Sequence, residues 1–314
     1  MLGVSFIGFA LSKVESRQNL NRPPYSPTAV DSGEPLLDVP IVDADSLSEP
    51  LADDALVIGV LLKGKARAYP LSMLTKRGQA VVNDELAGVP IVVTWSKECI
   101  NGRVFDRRLD NSTLEFFRAA NSWNGSLVIL DAETSTYWSQ LLGEALQDGR
   151  ALTPLVCEVL SWEGWRRRYP QTTVIDLPSL ADGPTTELLE AEGIIYGAVI
   201  DDAAIHWSMD LLLKSGGVSC FFKDYPLLVL INPQTKSVRA FSRKVGNSTL
   251  RFERTNDGRL REIKSRSLWD PTTATCVEGD LMGKSLAPVV GTLSDRGRWK
   301  VFHRDSVELD GPTE

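Results

Sequence analysis

A stretch of 27 residues recurs 136 positions further along the chain, and this repeat constrains the fold more than any other feature. Residues 90–116 and 226–252 align without a gap, and ten of the 27 pairs are identical. Those pairs are Pro90/Pro226, Val93/Val229, Arg103/Arg239, Phe105/Phe241, Arg107/Arg243, Asn111/Asn247, Ser112/Ser248, Thr113/Thr249, Leu114/Leu250 and Phe116/Phe252. Trp138 and Trp165 also correspond to Trp269 and Trp299. A spacing of 136 residues indicates a duplicated domain, because solenoids and propellers have much shorter repeats of about 20–50 residues.

The region around the first copy is predicted to consist of short strands and turns. Residues 55–60 and 66–69 are apolar runs on either side of a Gly-containing turn, which predicts a hairpin. Pro70 then opens a predicted short helix over residues 71–75. Further strands are predicted over residues 81–82, 88–95, 103–109, 113–117 and 127–130, with turns at 101–102 and 124–125 and a helix over 162–168.

The region around the second copy has the same order of predicted elements. Residues 195–200 and 204–207 flank Asp201 and Asp202 as a second hairpin, a short helix follows over 209–213, and an apolar strand covers 226–231. We therefore predict an α+β, β-rich fold of two homologous, mainly antiparallel modules, residues 39–180 and 190–310, related by pseudo-two-fold duplication. Any cleft is expected to lie between the modules.

Residues 1–38 are predicted to precede the first module as an apolar segment and a flexible linker. Residues 2–11 are apolar but too short for a bilayer span, and they resemble the core of a secretory signal without the usual basic residues before it. Residues 12–35 are polar and contain four prolines, which predicts a flexible linker. We expect an extracytoplasmic protein, periplasmic or secreted, with a cytoplasmic location as the alternative. Membrane proximity is expected only through this N-terminus.

The composition argues against nucleic acid as a partner and contains no signature of a metal or cofactor. The formal net charge is -7, and the basic residues are scattered, whereas nucleic-acid binding needs a concentrated positive surface. His206 and His303 are the only histidines, and the four cysteines form no Cys-x-x-Cys pair, so we predict no metal and no cofactor. The thiols are either isolated apolar side chains or pairs whose connectivity the spacing does not reveal.

Several short motifs follow one another in the first module. They are Ile58-Gly59-Val60, Ala66-Arg67-Ala68-Tyr69-Pro70-Leu71, Val82-Asn83-Asp84, Gly88-Val89-Pro90, Val104-Phe105-Asp106-Arg107, Trp138-Ser139-Gln140 and Gly143-Glu144-Ala145. In this order they resemble the bacterial DUF3179 family, a domain of unknown function. The resemblance covers residues 39–175 clearly and residues 193–307 more loosely. It implies a family without an established activity, many of whose members are exported.

Two motifs of that family are incomplete in this chain. The resemblance implies a His-Glu pair before the Val-Asn-Asp motif and a Cys-Pro-x-Cys-Gly segment after the Gly-Val-Pro strand, donors that suit a soft metal or a redox step. The corresponding residues here are Gln79 and Ala80, and Ser96 and Cys99 at the two cysteine positions. One thiol and one amide cannot form a closed zinc site, so the resemblance implies a degenerate site.

Four polar residues of the motifs are candidate ligand-binding residues. Arg67 and Arg107 can clamp an anion by bidentate hydrogen bonds, or they can pair with a carboxylate such as Asp84 or Asp106, which is the default interpretation. Asn83 and Asp84 can supply ligands or a general base. Asn and Asp between two strands are more often turn formers, and we favour that interpretation.

Three further candidates are Cys99, Trp138 and Gln140. Lys97 lies beside Cys99 in sequence, and a nearby cation favours the thiolate, but no histidine is close to it, so a loop thiol is the favoured interpretation. Trp138 and Gln140 combine an aromatic face with polar groups, as a ligand pocket does. Trp138 recurs as Trp269, however, and an aromatic present in both copies is first of all a core residue.

These features lead to two hypotheses about function. The first is an exported ligand-binding or interaction protein with a degenerate family site, whose partner is an unknown small molecule or protein. The alternative is a thiol- or metal-dependent enzyme, oxidoreductase-like, that uses Cys99. No catalytic residue is assigned. The candidates can form a ligand site only if Arg67, Asn83, Cys99 and Trp138 converge on one cleft.

Overall fold

The computed structural model describes residues 25–28, 33–76 and 78–311. The predicted apolar segment of residues 2–11 lies outside the described residues. Of the predicted flexible linker, residues 25–28 and 33–35 are described, and residues 25–28 contact the first half. The ring of Tyr25 lies 4.9 Å from that of Tyr137, and the Thr28 N–H donates to Asn121 Oδ1 at 2.9 Å. No described helix is both long and apolar enough to cross a bilayer.

The first half of the chain consists of short strands with two α-helices. Its strands are β1 (Ile41–Asp43), β2 (Leu56–Leu62), β3 (Lys65–Pro70), β4 (Val81–Leu86), β5 (Val89–Ser96), β6 (Asn101–Asp106), β7 (Arg108–Leu109), β8 (Ser112–Thr113), β9 (Phe116–Arg118), β10 (Val128–Asp131), β11 (Tyr137–Ser139), β12 (Glu144–Ala145), β13 (Thr153–Leu155), β14 (Cys157–Ser161) and β15 (Thr173–Ile175). Its helices are α1 (Leu71–Leu74) and α2 (Trp162–Arg168), and Ala44–Ser46 forms a 3-10 turn.

These strands form four sheets, whose orders are β1-β15-β3-β2-β14, β13-β6-β5-β4, β12-β11-β10-β9 and β7-β8. Neighbouring strands run antiparallel except β15, which runs parallel to β3. The β-rich, mainly antiparallel character predicted from the alternating apolar runs is therefore confirmed for this half.

The second half begins with a 3-10 helix at Thr186–Glu190 and again consists of short strands with two α-helices. Its strands are β16 (Ile194–Ile200), β17 (Ala203–Ser208), β18 (Gly217–Phe222), β19 (Tyr225–Ile231), β20 (Val238–Ser242), β21 (Lys244–Val245), β22 (Ser248–Thr249), β23 (Phe252–Arg254), β24 (Leu260–Glu262), β25 (Leu268–Asp270), β26 (Thr275–Glu278), β27 (Pro288–Val289), β28 (Gly291–Asp295) and β29 (Val307–Glu308). Its helices are α3 (Met209–Ser215) and α4 (Arg296–Phe302).

The second half also contains four sheets, of orders β28-β16-β17-β29, β18-β19-β20-β27, β23-β24-β25-β26 and β21-β22. The parallel pair is β17 with β29. Helices α2 and α4 follow β14 and β28, and each packs a tryptophan on a glycine of the sheet that contains that strand. A Cβ atom on Gly59 would lie 2.3 Å from the Trp165 ring, and one on Gly197 would lie 2.6 Å from the Trp299 ring. Glycine is required at both positions because the indoles leave no room for a side chain.

One hydrophobic core contains buried side chains from both halves, including Ile58 of β2 and Trp207 of β17. The sheets β12-β11-β10-β9 and β23-β24-β25-β26 are called the peripheral sheets here. Each covers a smaller core, one around Trp138 and one around Trp269. Polar contacts also join the halves, since Asn101 Nδ2 donates to Leu293 O at 2.7 Å. The two halves are therefore packed against each other through a shared core and buried hydrogen bonds.

Most local predictions agree with the observed elements, and four do not; one of the four is the strand predicted over residues 113–117, which is divided into β8 and β9. Both hairpins are present, and α2 has the predicted bounds. Asn101 and Gly102 were predicted to form a turn but are the first residues of β6, because the buried Asn101 side chain bonds to the second half; the chain turns just before them, where Ile100 has a φ of 53°. Asn83 and Asp84 were predicted to form a turn but lie inside β4. The strand predicted over 103–109 is interrupted at Arg107.

Candidate functional site

A cleft of about 680 Å³ lies in the first half, where two segments distant in sequence meet. The segment before β4 and the segment after β5 are adjacent because these strands pair antiparallel, and the Trp95 N–H donates to Ala80 O at 2.9 Å. The lining residues are Gly33, Glu34, Leu74, Thr75, Gly78, Ala80, Val81, Trp95, Lys97, Glu98, Phe117, Arg118, Ala119, Ala120 and Leu127. All belong to the first half, so the expectation of a cleft between the modules is wrong for this one.

The cleft combines aromatic walls with polar groups that lack protein partners. Trp95 is 2% exposed, and its indole Nε1 has no hydrogen-bond partner among the described residues. The buried Thr75 Oγ1 has none either. Lys97 and Arg118 are exposed at the cleft, and neither forms an ion pair within the part of the chain that the structure describes. A buried donor without an acceptor costs free energy, and the cleft brings together two buried polar groups without partners and two cations without ion pairs among the described residues.

The two family motifs that are incomplete in this chain lie at this cleft. Ala80 and Lys97 line it, Gln79 donates from Nε2 to Met73 O at 3.1 Å, and Ser96 is buried beside it. No group of three or more His, Cys, Asp or Glu side chains suited to a metal occurs among the described residues. The cleft as it stands offers hydrogen bonds and charges for binding a ligand.

Cys99 is fully buried and does not line the cleft. Its Sγ lies 3.5 Å from Gly125 O, and its carbonyl oxygen accepts the Asp295 N–H at 2.7 Å, which ties the loop to the second half. Burial raises the pKa of the Cys99 thiol, although the Ser126 and Ser96 hydroxyls and the Arg298 charge act in the opposite direction. Burial thus outweighs the nearby positive charge, which fits the favoured interpretation of a loop thiol better than that of a nucleophilic thiolate.

Arg67 and Asp84 form a partly buried ion pair. Arg67 Nη1 lies 2.6 Å from Asp84 Oδ1 and Oδ2, and the Tyr69 hydroxyl donates to Asp84 Oδ2 at 2.5 Å. Arg67 Nε also donates to Thr173 Oγ1 at 3.1 Å. Burial, followed by the negative charge of Asp84, raises the pKa of Tyr69 well above its usual value. The cluster joins β3, β4 and β15. Arg67 therefore pairs with a carboxylate of the protein, which was the default interpretation, and does not clamp an external anion.

Asn83 and Arg107 satisfy backbone groups. The Phe116 N–H donates to Asn83 Oδ1 at 2.8 Å, and Asn83 Nδ2 donates to Phe116 O at 2.7 Å, so this amide holds β9 against β4. Arg107 donates to Ile91 O at 3.1 Å and to Leu114 O at 2.8 Å. Among the described residues Arg107 forms no ion pair with a carboxylate, because its guanidinium donates instead to a carbonyl of β5 and to one that follows β8.

Trp138 and Gln140 belong to the interior. Trp138 Nε1 donates to Asp131 Oδ2 at 2.8 Å in the core of the peripheral sheet. Gln140 Nε2 donates to Thr94 Oγ1 and to Asn101 Oδ1, both at 3.1 Å, in a buried network at the junction of the halves. The structure therefore brings Arg67 together with Asp84, but the seven sequence-predicted residues do not converge on one cleft.

The residues that do line the cleft were missed from sequence, apart from the segments that the family resemblance marks. Trp95 directly precedes the segment that carries the cysteines in the family, and this was the one available signal. Thr75 and Arg118 lie in a helix end and a short strand with no motif. Their proximity depends on the pairing of β4 with β5 and on the packing of β9, which no local pattern reveals.

The structure defines a β-rich protein of several antiparallel sheets with a cleft of about 680 Å³ in its first half. Residues 32–185 match the family model described as "Protein of unknown function (DUF3179)", which is just under half of the chain. The resemblance of the first half to this family is thereby confirmed, and residues 186–314 lie outside the match. The comparison with curated proteins finds no match, and the comparison with solved structures finds none either.

Proposed function

We propose that the protein is an exported, non-catalytic binding protein that holds a small polar ligand in the first-half cleft. The observation that carries this proposal is the meeting of the two incomplete family motifs at one cleft beside Trp95, whose buried Nε1 lacks a partner. Pockets of this volume lined by aromatic groups with a few polar atoms are typical of small-molecule sites. The ligand accepts the indole N–H and approaches the unpaired charges of Lys97 and Arg118.

Binding is favoured over catalysis by the chemistry of the same residues. Ala80 and Ser96 stand where the family resemblance implies a carboxylate and a thiol, and neither is a strong general base or soft-metal ligand. Cys99 is buried, with a pKa raised by that burial, so it does not provide a ready nucleophile. The thiol-dependent alternative therefore has no supporting observation.

We further propose that the second half is a diverged copy of the first that serves as a scaffold. The shared strand orders, the ten identities and the matching pairs Gly59–Trp165 and Gly197–Trp299 support this proposal. In this role the second half holds the loop between β5 and β6, since the carbonyl of Cys99 accepts the Asp295 N–H. The wall of the cleft that contains Lys97 is then positioned from the second half.

The binding proposal is tested by a thermal-shift screen of small polar metabolites, followed by calorimetric titration of each compound that stabilises the protein. Trp95→Phe removes the unpartnered N–H and keeps an aromatic side chain at this position, so we expect it to weaken binding roughly threefold to tenfold. Trp269→Phe is the matched control, because Trp269 is also buried with a partnerless Nε1 but lies in the second half. Binding unchanged by Trp95→Phe and by Lys97→Ala with Arg118→Ala, or a broad screen without any ligand, would overturn the proposal.

A further inference from the structure

Two arginines occupy corresponding positions in the aligned stretch and have the same aromatic neighbour. The guanidinium of Arg103 lies 5.2 Å from the centroid of the Phe105 ring, and that of Arg239 lies 5.3 Å from the Phe241 ring. Arg103 lies in β6 and Arg239 lies in β20, and each of these is an inner strand of a four-stranded sheet. The strands therefore present the two cations in the same local setting.

The partners of the two arginines differ. Arg239 Nε lies 3.5 Å from Glu158 Oε2, and this carboxylate also lies 2.7 Å from Arg168 Nη1 and accepts the Ser237 hydroxyl at 2.6 Å. Burial alone would raise the pKa of Glu158, but the charges of Arg239 and Arg168 outweigh burial and lower it. Arg239 is thus one member of a buried ion cluster in which each charge has a partner.

Arg103 has no such carboxylate. Across the described residues its guanidinium forms no ion pair and no hydrogen bond, and the ionisable groups beside it are the Cys157 thiol and the Tyr196 phenol. Both are neutral at physiological pH, because burial raises the pKa of Cys157 to about 11 and raises that of Tyr196 still further. The position that Glu158 has in β14, three residues before the helix cap, is occupied in β28 by Thr292.

An unpaired and partly buried arginine is unusual, because desolvation of a cation is costly unless an anion compensates for it. Burial lowers the pKa of Arg103, yet a guanidinium stays protonated at any physiological pH. The enclosed space nearby cannot hold the anion, since the cavity lined by Gly102, Cys157 and Thr292 is about 10 Å³, roughly one water molecule. The partner must therefore reach Arg103 from its exposed side.

We propose that Arg103 anchors a second ligand site, at the junction of the two halves, that binds a carboxylate or phosphate oxyanion in the role that Glu158 has at Arg239. The planar guanidinium offers paired N–H donors that match two oxygens of such an anion. The site is separate from the first-half cleft, whose lining residues do not include Arg103. Its ligand is either a free oxyanion or the acidic group of a larger molecule.

The test measures the melting temperature of the full chain against sodium phosphate, sodium acetate and sodium chloride at matched ionic strength. For a site with a dissociation constant near 1 mM, about 50 mM phosphate is expected to raise the melting temperature by about 3 °C. Arg103→Gln is expected to reduce this rise to the value seen with chloride. Arg239→Gln, the matched control, and Arg118→Gln at the cleft are expected to retain it.

A further variant supplies the missing carboxylate within the chain. Thr292→Glu places an acid at the position that Glu158 has in β14, and phosphate is then expected to have no effect on the melting temperature. Because Thr292 is buried and bonded to Asn101, this variant can fail to fold, and the comparison of Arg103→Gln with Arg239→Gln then decides. An equal rise with chloride, or an equal phosphate effect in wild type and Arg103→Gln, overturns the proposal. Loss of the effect in Arg118→Gln alone assigns the oxyanion to the cleft instead.

Discussion

The peripheral sheets of the two halves hold their central tryptophans in different ways. In the first half Trp138 Nε1 donates to Asp131, which also accepts the Thr134 N–H at 2.6 Å. In the second half Trp269 has the same register, but Glu262 at the end of β24 bonds to Ser265, and the Trp269 indole has no partner among the described residues. The same backbone frame thus tolerates the loss of a buried side-chain hydrogen bond.

The arginines after β6 and β20 show the opposite behaviour. Arg107 donates to Leu114 O at 2.8 Å, and Arg243 donates to Leu250 O at 3.0 Å. The backbone N–H of each donates to the carbonyl of the proline-led strand at 3.0 Å. The halves therefore agree where a side chain satisfies backbone carbonyls in a tight turn, and they differ where side chains bond to one another. Carbonyls at such a turn need a donor whatever ligand the protein binds.

The largest effect is expected from removing the arginine of this turn. Arg243 is fully buried and donates to Leu250 O and Cys220 O, so Arg243→Met leaves two buried carbonyls without these donors. We expect a loss of about 3 kcal/mol or more in the free energy of unfolding by urea. Arg107→Met is expected to cost about 1–2 kcal/mol, because Arg107 is more exposed. Equal costs in the two variants would contradict the role of burial.

The glycines under the helix tryptophans are expected to be equally sensitive in the two halves. A Cβ atom would meet the Trp165 ring in Gly59→Ala and the Trp299 ring in Gly197→Ala. Over-packing of this kind costs about 1–3 kcal/mol, and urea unfolding of each variant measures it. Gly64→Ala is not a suitable control because its φ is 79°, so Gly311→Ala, with open space around it, serves instead. A neutral Gly197→Ala would weaken the proposed correspondence of the halves.

The acids of the peripheral sheets are expected to differ in their contribution to stability. Asp131→Ala removes the acceptor of the Trp138 indole and of Thr134, with an expected cost of about 2 kcal/mol. Glu262→Ala removes the acceptor of the Ser265 and Arg251 backbone N–H groups, and a cost of about 1 kcal/mol is expected. Thermal or urea unfolding of both variants gives the comparison. A larger cost for Glu262→Ala would show that the tryptophan bond adds little.

The smallest effect concerns acid pH and has no counterpart in the first half, where Ala68 stands at the position of His206. Burial lowers the pKa of His206, although the nearby Glu308 acts in the opposite direction. A depressed histidine pKa means that the unfolded chain binds the proton more readily, so stability falls as pH drops below about 6.5. The measurement is the free energy of unfolding at pH 7.5 and at pH 5.5. Between these pH values we expect the wild-type protein to lose more of this free energy than His206→Gln, by less than about 1 kcal/mol. An identical pH dependence in both proteins excludes this contribution.

Local elements and the approximate order of strands could be predicted from sequence, because they depend on neighbouring residues. The apolar runs around Asp201 and Asp202 required a hairpin, and the observed φ values of 45° and 68° at these residues fit its tight turn. Helix α2 has the predicted bounds because Ser161 caps it and Trp165 packs it on the sheet. The resemblance of the first half to the DUF3179 family likewise followed from motifs in order along the chain.

The candidate site depended on contacts that only the tertiary structure decides. Asn83 and Asn101 have turn-forming side chains, yet both lie in strands, because distant partners satisfy their amides more fully than local backbone would. The cleft exists where β4 and β5 bring Ala80 beside Trp95, and Arg103 lacks a partner because Thr292 stands opposite it in the other half. By itself the sequence determined the apolar pattern of each strand and the ten identities between residues 90–116 and 226–252. Which polar atoms remain without partners was decided by packing between segments far apart along the chain.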